Sequence, residues 1–304
     1  MTPDPYVGAV AGFAVRSEVP LAYLRSGPAE TPLDVRVGSG GSGTEPPDPP
    51  LREWTPLPEN PFRAKLWRAD GVDRLWIDGV GWYSIDPRTG GIEIPAGADP
   101  VAREERLWGI PTSLCIVARG DQTLHAGSVD VGGAAILIGA PGRHGKTTLV
   151  AALHAAGYRL LSEDTTRCRP AAEALAFPGP AMFRVRRDSF EHLGLDGTRV
   201  VGEDPDRVHL AVDPARRGSA DPVPIAGILL LRTADEIRLE RLAPELAIPE
   251  LWALAFKLPT DEDRARCFAA IGGLVASVPV WNLHRPMTYG ALDEVVERIA
   301  SLAG

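Results

Sequence analysis

Short apolar runs broken by turn residues dominate the first third of the chain. Segments such as "YVGAVAGFAV" and "LDVRV" read as strands within residues 1–37, and residues 62–94 alternate in short segments separated by Asp-Gly and Gly-Gly, the pattern of a β-meander. Between them lies "GSGGSGTEPPDPP", residues 38–50, whose Gly/Ser start is flexible and whose Pro-rich end is extended. It reads as a surface loop between strands or as an interdomain linker. The pattern then changes. Residues 101–118 read as a helix running toward an apolar segment, with Pro111 marking an irregularity. "TLHAGSVDV" and "AAILIG" read as strands, Gly145 to Ala156 as a helix, and "YRLLS", "TTRCRP", "RVHLAV" and "PIAGILLLR" as further strands. The last sixty residues read as helices, one of them opened by Thr260 with Asp263 three positions on, a capping-box variant. The expected class is α/β (α+β), with a β-rich N-terminal region over 1–110 and an α/β domain with a helical C-terminus over 111–304.

Composition narrows the function classes. A formal net charge of −8 argues against a nucleic-acid binder but leaves room for a local anion site. No apolar run approaches the ~18 residues of a membrane span. The first residues lack the basic start and apolar core of a secretory signal, and three scattered cysteines read as reduced structural thiols, so a cytoplasmic location is expected. Three Trp in residues 62–94 (Trp67, Trp76, Trp82) read as sheet core. Only Lys65, Lys146 and Lys257 are lysine among the 32 basic residues. Where this chain keeps a lysine, a compact ammonium is suspected to do what a planar guanidinium cannot.

Lys146 stands in "APGRHGKTT", residues 140–148. Ala140, Pro141, Gly142, Arg143, His144, Gly145, Lys146 and Thr147 match G-x-x-x-x-G-K-[ST] except at the first place. A strand signal precedes the run and a helix signal follows, the setting a phosphate loop needs. Its backbone N–H groups and the helix N-terminus would cradle phosphates, with Thr148 completing the turn. Lys146 would neutralise the terminal phosphates, and the Thr147 hydroxyl would ligate Mg²⁺. One helix later, "YRLLSED" ends an apolar strand in Glu163-Asp164, the place for a metal carboxylate and a base. His125, on the strand before the loop strand, is a third candidate. Arg184 and Arg186 in "FRVRRDS" share a face if the segment is a strand and are candidates for stabilising the transferring phosphoryl group.

The run "LHAGSVDVGGAAILIGAPGRHGKTTLVAALHAAGYRLLSED" resembles the catalytic core of the HPr serine kinase/phosphorylase family, in particular its divergent HPr-kinase-like members, some of which act on lasso-peptide precursors. "FPGPAMFRVRRDSFEHLG" is similar to a later segment of the family, and "VASVPVWNLHRP" resembles its closing strand. The resemblance implies a P-loop kinase fold of the phosphoenolpyruvate-carboxykinase type with a mixed sheet, ATP or another NTP as donor, Mg²⁺, and transfer to a serine hydroxyl on a peptide or protein. By position it implies an active-site role for His125, loop roles for Lys146 and Thr147, and a paired-acid role for Glu163 and Asp164. Glu stands where the family has its first Asp. Asp164 is assigned with Thr147 to the metal and Glu163 to the base, the opposite division being open. A short motif that supports phosphorolysis and HPr docking is not recognisable, which argues against HPr as acceptor. The resemblance leaves homo-oligomer formation open. A small-molecule hydroxyl kinase and a non-catalytic nucleotide-gated regulatory module remain as alternatives.

Overall fold

The computed structural model describes residues 5–38, 45–56, 61–140, 142 and 144–302. Pro141 and Arg143 of the expected loop, and residues 39–44 of the Gly/Ser run, lie outside them.

The N-terminal strands form one eight-stranded sheet. They are β1 (Tyr6–Val10), β2 (Phe13–Ser17), β3 (Thr31–Val37), β4 (Arg52–Trp54), β5 (Ala64–Ala69), β6 (Val72–Ile77), β7 (Gly81–Asp86) and β8 (Gly91–Ile94). Their order is β1-β2-β3-β8-β7-β6-β5-β4. β5 to β8 form the expected meander, and β2, β3 and β8 pair in parallel. Asp70-Gly71 turns β5 into β6 with positive φ at both residues (52° and 80°), the primed turn that matches strand twist. Of the three tryptophans only Trp67 is buried, its ring 5.4 Å from that of half-buried Trp82.

The sequence signal over 101–118 resolves into two helices, α1 (Pro100–Leu107) and α2 (Ile110–Val117). The break falls at Trp108-Gly109, and Pro111 sits in the first turn of α2, where its missing N–H costs nothing. The apolar segment is therefore helix. Leu107, Trp108, Leu114, Cys115 and Ile116 share one core with the eight-stranded sheet, and Met182, Ala211 and Leu258 from later in the chain join it.

The second body is built on a mixed sheet. β9 (Gln122–Leu124), β10 (Ala126–Val131), β11 (Ala134–Gly139), α3 (Lys146–Ala155), β12 (Arg159–Ser162), β13 (Thr166–Arg169) and β14 (Leu175–Phe177) come first. Then follow β15 (Met182–Arg186), α4 (Arg187–Leu193), β16 (Thr198–Glu203), β17 (Arg207–Val212), β18 (Val223–Thr233), β19 (Arg238–Arg241), α5 (Pro244–Leu254), α6 (Asp261–Ser277), β20 (Val280–Arg285) and α7 (Leu292–Ala300). The order is β12-β10-β11-β18-β14-β13-β9, with β20 beside β18 and β19 beside β20. β11–β18 and β18–β20 are parallel, and β10 pairs antiparallel to both β11 and β12. β15, β17 and β16 make a separate antiparallel sheet. The chain is thus a mixed α/β protein. Among its C-terminal helices lies β20, within the segment similar to the family's closing strand, and it pairs in parallel with β18.

Alternation along β11 explains why "AAILIG" is apolar throughout. Ile136 and Ile138 pack toward α3 and α7, whereas Ala135 and Leu137 pack toward α5 and α6. Both faces are covered, so the strand carries no polar position and its C-terminal end is held in place. α6 begins as expected, the Thr260 hydroxyl accepting from the Asp263 N–H at 3.1 Å.

Arg25 ties the two bodies together. Its guanidinium is buried and donates to the carbonyls of Leu160 (2.9 Å), Leu161 (3.0 Å), Gly179 (2.8 Å) and Arg217. It meets no carboxylate among the described residues, and burial pushes its pKa down to about 9. Four carbonyl partners replace the water it has lost, and two of them lie on the strand that leads to Glu163.

Candidate active site

The site lies where β11 ends, α3 begins and β12 runs out. Gly145 is the residue before α3 and has φ +72°, a conformation that favours glycine. No side chain caps α3 among the described residues, so its first N–H groups are available to an anion. Ala140, the departure from the usual first glycine, is buried at 4 % exposure in the core beside α3. Among the described residues, Ala11 and Asp70 are the only non-glycines with positive φ, so the backbone at 140 does not require glycine. Ala140→Gly is therefore expected to cost about 1 kcal/mol of stability in urea unfolding, through a lost buried methyl and added chain entropy, with nucleotide affinity unchanged.

Lys146 is 9 % exposed, and its Nζ donates to Asp164 Oδ1 at 2.7 Å and to the Asp164 carbonyl at 3.0 Å. Thr147 points elsewhere, its hydroxyl donating to Glu163 Oε1. This corrects one expected pairing: Thr147 meets Glu163, not Asp164. The two acids follow the end of β12, where successive side chains diverge, so each faces a different partner. The close fit is set by Gly127 on β10, where a Cβ would stand 2.7 Å from the Glu163 carbonyl oxygen and 2.6 Å from Val150 on α3.

The two carboxyls are held in opposite states. Glu163 is 2 % exposed and its Oε2 has no hydrogen-bond partner. Burial, and next the charge of Asp164, raise its pKa against the pull of Arg184, Lys146 and Thr147. Burial acts on Asp164 in the same sense, but Lys146, His125 and Arg184 outweigh it and hold that carboxyl below the usual range.

His125 interrupts the expected strand, standing between β9 and β10 with its N–H on the Leu254 carbonyl at 2.8 Å. Its Nδ1 is 3.4 Å from Asp164 Oδ1. Asp164 raises the imidazole pKa, but Lys146, burial and Arg184 together bring it below the ordinary value. The neutral ring is therefore the resting form near pH 7.

Arg184 and Arg186 do lie on one strand, β15, but only Arg184 reaches the acids, with its Nη2 3.5 Å from Asp164 Oδ2. Arg186 is 64 % exposed and pairs with Asp188 at 3.4 Å. Thr148 turns away from the acids, its hydroxyl 3.0 Å from Ser189 Oγ, which in turn is 3.1 Å from the Tyr289 hydroxyl. His144 rests its Nδ1 on the Gly142 carbonyl at 2.9 Å.

Two groups escaped the sequence reading. His209 faces Arg184 across the β15–β17 pair and bonds Glu105 on α1 at 2.7 Å, which ties the small sheet to the N-terminal body. Arg285, at the end of β20, reaches the loop carbonyls. No signal in either segment separates these residues from ordinary strand positions.

The site opens into a cleft of about 1660 Å³. One wall comes from the loop, the acids and β15, and the other from the N-terminal body through Trp54, Phe62, Glu105 and Arg106. The described residues contain no cluster of three or more His, Cys, Asp or Glu suited to hold a metal unaided, and no helix among them is long and apolar enough to cross a membrane.

No protein-family model and no curated protein matches the chain. Among solved structures, the HPr(Ser) kinase/phosphatase from Coxiella burnetii is similar to it with a TM-score of 0.33 and 12 % identity, over 60 % of this chain and 93 % of that one.

Proposed function

We propose that this chain is a P-loop phosphotransferase that moves the terminal phosphoryl group of a nucleoside triphosphate, ATP in the first instance, to a serine hydroxyl. One observation carries the reading: at the uncapped start of α3, Lys146 rests on Asp164 while Thr147 rests on Glu163. The phosphate cradle, a cation-side carboxylate and a base-side carboxylate thus meet within one turn of helix.

The residues fit a magnesium ion on the Glu163 side. A buried carboxylate oxygen without a hydrogen-bond partner, beside a hydroxyl, is a donor set that suits a hard divalent cation. Thr147 and Glu163 would hold the ion, which would neutralise charge on the phosphate oxygens when bound. This reverses the division of roles expected from the sequence.

The remaining chemistry belongs to the other pair. Lys146 exchanges Asp164 for the donor phosphates, and Asp164, relieved of its strongest cation, becomes a better proton acceptor. It takes the acceptor hydroxyl proton as the serine oxygen bonds to phosphorus and the bond to the leaving diphosphate breaks. Neutral His125 orients Asp164, and Arg184 steadies charge on the transferring group.

The size of the cleft supports a large acceptor. A small-molecule pocket occupies about 300–1,000 Å³, whereas this cleft is about 1660 Å³ and continues along the N-terminal body. That favours a peptide or protein segment, and a lasso-type precursor peptide is the acceptor to try first. The β-rich region up to residue 110 would then serve as the acceptor-side wall. The test is incubation with Mg-ATP and serine-bearing peptides, followed by mass spectrometry to place the added phosphate. Phosphate on a peptide serine supports the reading. Tight ATP binding with no transfer to any peptide or small hydroxyl would point instead to a nucleotide-gated module.

A further inference from the structure

Arg285 is a buried cation, 3 % exposed, that lines the cleft and faces no carboxylate among the described residues. Its Nη2 donates to the carbonyls of His144 at 3.0 Å and Gly145 at 3.4 Å, its Nη1 donates to its own neighbour Pro286 at 3.2 Å, and its Nε has no partner. The other cations of the site are compensated, since Lys146 and Arg184 both lie against Asp164. Burial alone lowers the Arg285 pKa, with no acid opposing it.

The backbone converts this contact into a direction. Among the described residues there is no cis peptide. In a trans peptide the N–H points opposite to the C=O. A guanidinium on the His144 carbonyl therefore turns the Gly145 N–H the other way, while the Gly145 carbonyl also accepts from the Leu149 N–H at 3.0 Å, so that the helix itself directs the Lys146 N–H. The Arg285 side takes the carbonyls, and the opposite side presents two amides to an anion. Gly145 is part of the same fit, because a Cβ there would stand 2.6 Å from Arg285 Nη2.

We infer that Arg285 is a positioning residue of the donor-phosphate site: by holding loop carbonyls from behind it aims the loop amides toward the bound polyphosphate. The inference rests on the phosphotransferase reading and extends it to a residue 140 positions from the loop. It also explains why β20 is drawn into the sheet beside β18: that pairing carries Arg285 to the back of the cradle.

Isothermal titration with Mg-ATP and with AMP tests this, alongside melting of the ligand-free protein. Arg285→Gln keeps a hydrogen-bond donor and loses the charge. It is expected to bind Mg-ATP about 10–100-fold more weakly, the loss of a charge-assisted contact, with a smaller change for AMP. Its ligand-free melting temperature should be unchanged or higher, because an uncompensated charge has gone. A merely structural brace would instead lower that temperature and leave affinity intact. Arg285→Lys keeps the charge but cannot span both carbonyls, and about a 3–10-fold loss is expected. Mg-ATP affinity within twofold of wild type in Arg285→Gln overturns the inference; if that variant does not fold, unchanged affinity in Arg285→Lys does so. Should the wild-type protein bind Mg-ATP and only Lys146→Met lose it, the inference fails while the phosphotransferase reading stands. Should wild type bind none, both fall.

Discussion

Lys146→Met is expected to lower phosphoryl transfer by at least about 10²–10³-fold, the usual cost of removing one preorganised charge from a transition state, while the protein stays folded. The lysine stem lies in a packed setting that methionine fills, so the core is preserved. What changes is the charge balance around Asp164, which keeps His125 and Arg184 but loses its shortest partner. Asp164 is one-third exposed, so solvent screening limits the stability loss to about 1–2 kcal/mol at neutral pH. The sign with pH follows from the depressed carboxyl. Its stabilising contribution is present above the unfolded value of about 3.9 and is lost as pH falls through the lower folded value. The difference between wild type and variant should therefore close in acid. His125 supplies an independent readout. In wild type Lys146 helps push the imidazole below its ordinary pKa against Asp164. Without the lysine the pull of Asp164 gains ground, and NMR titration should find the His125 pKa raised.

Glu163→Gln is expected to abolish metal-dependent turnover and yet stabilise the ligand-free protein. Ionised Glu163 is buried, sits beside Asp164 and leaves Oε2 without a partner, whereas glutamine keeps the Thr147 contact without the charge. Removing such a group recovers about 1–3 kcal/mol, a few degrees in melting temperature for a chain of this size. Because the folded pKa is raised, the wild-type protein carries no penalty below the unfolded value of about 4.3. The penalty grows as pH rises above it and levels off beyond the folded value. Thermal melts should coincide near pH 4 and separate by pH 7, the variant being higher. Mg-ATP should reverse the ranking by stabilising wild type more. A variant that is less stable at pH 7, or fully active, would contradict the placement of Glu163.

The strand β11 and the helix α3 were legible because each is a contiguous run with its own periodicity. The closeness of the acids to Lys146 follows from the same run, one helix on. Which acid meets Lys146 and which meets Thr147 was not legible, because it depends on which way two adjacent side chains turn at the end of β12. Arg184 and Arg186 both stand on β15, the condition for sharing a face, but only Arg184 reaches Asp164, because reach depends on position along the cleft. The segment over 110–117 illustrates a different limit: a short, mostly apolar run suits a buried helix as well as a strand, and the N-terminal core selects helix. The strand β20 was foreseen by resemblance, but Arg285 was not, because its place beside the loop comes from parallel pairing with β18, a contact no local pattern encodes.

In the proposed reading this cleft holds a nucleoside triphosphate through Lys146 and the start of α3. Isothermal titration of the wild-type protein with ATP and Mg²⁺, repeated with Lys146→Met, tests it most directly. Saturable one-to-one binding that needs the triphosphate and is lost in the variant is the predicted result. A wild-type protein that does not bind Mg-ATP, or a folded Lys146→Met protein that binds it equally well, would contradict the account.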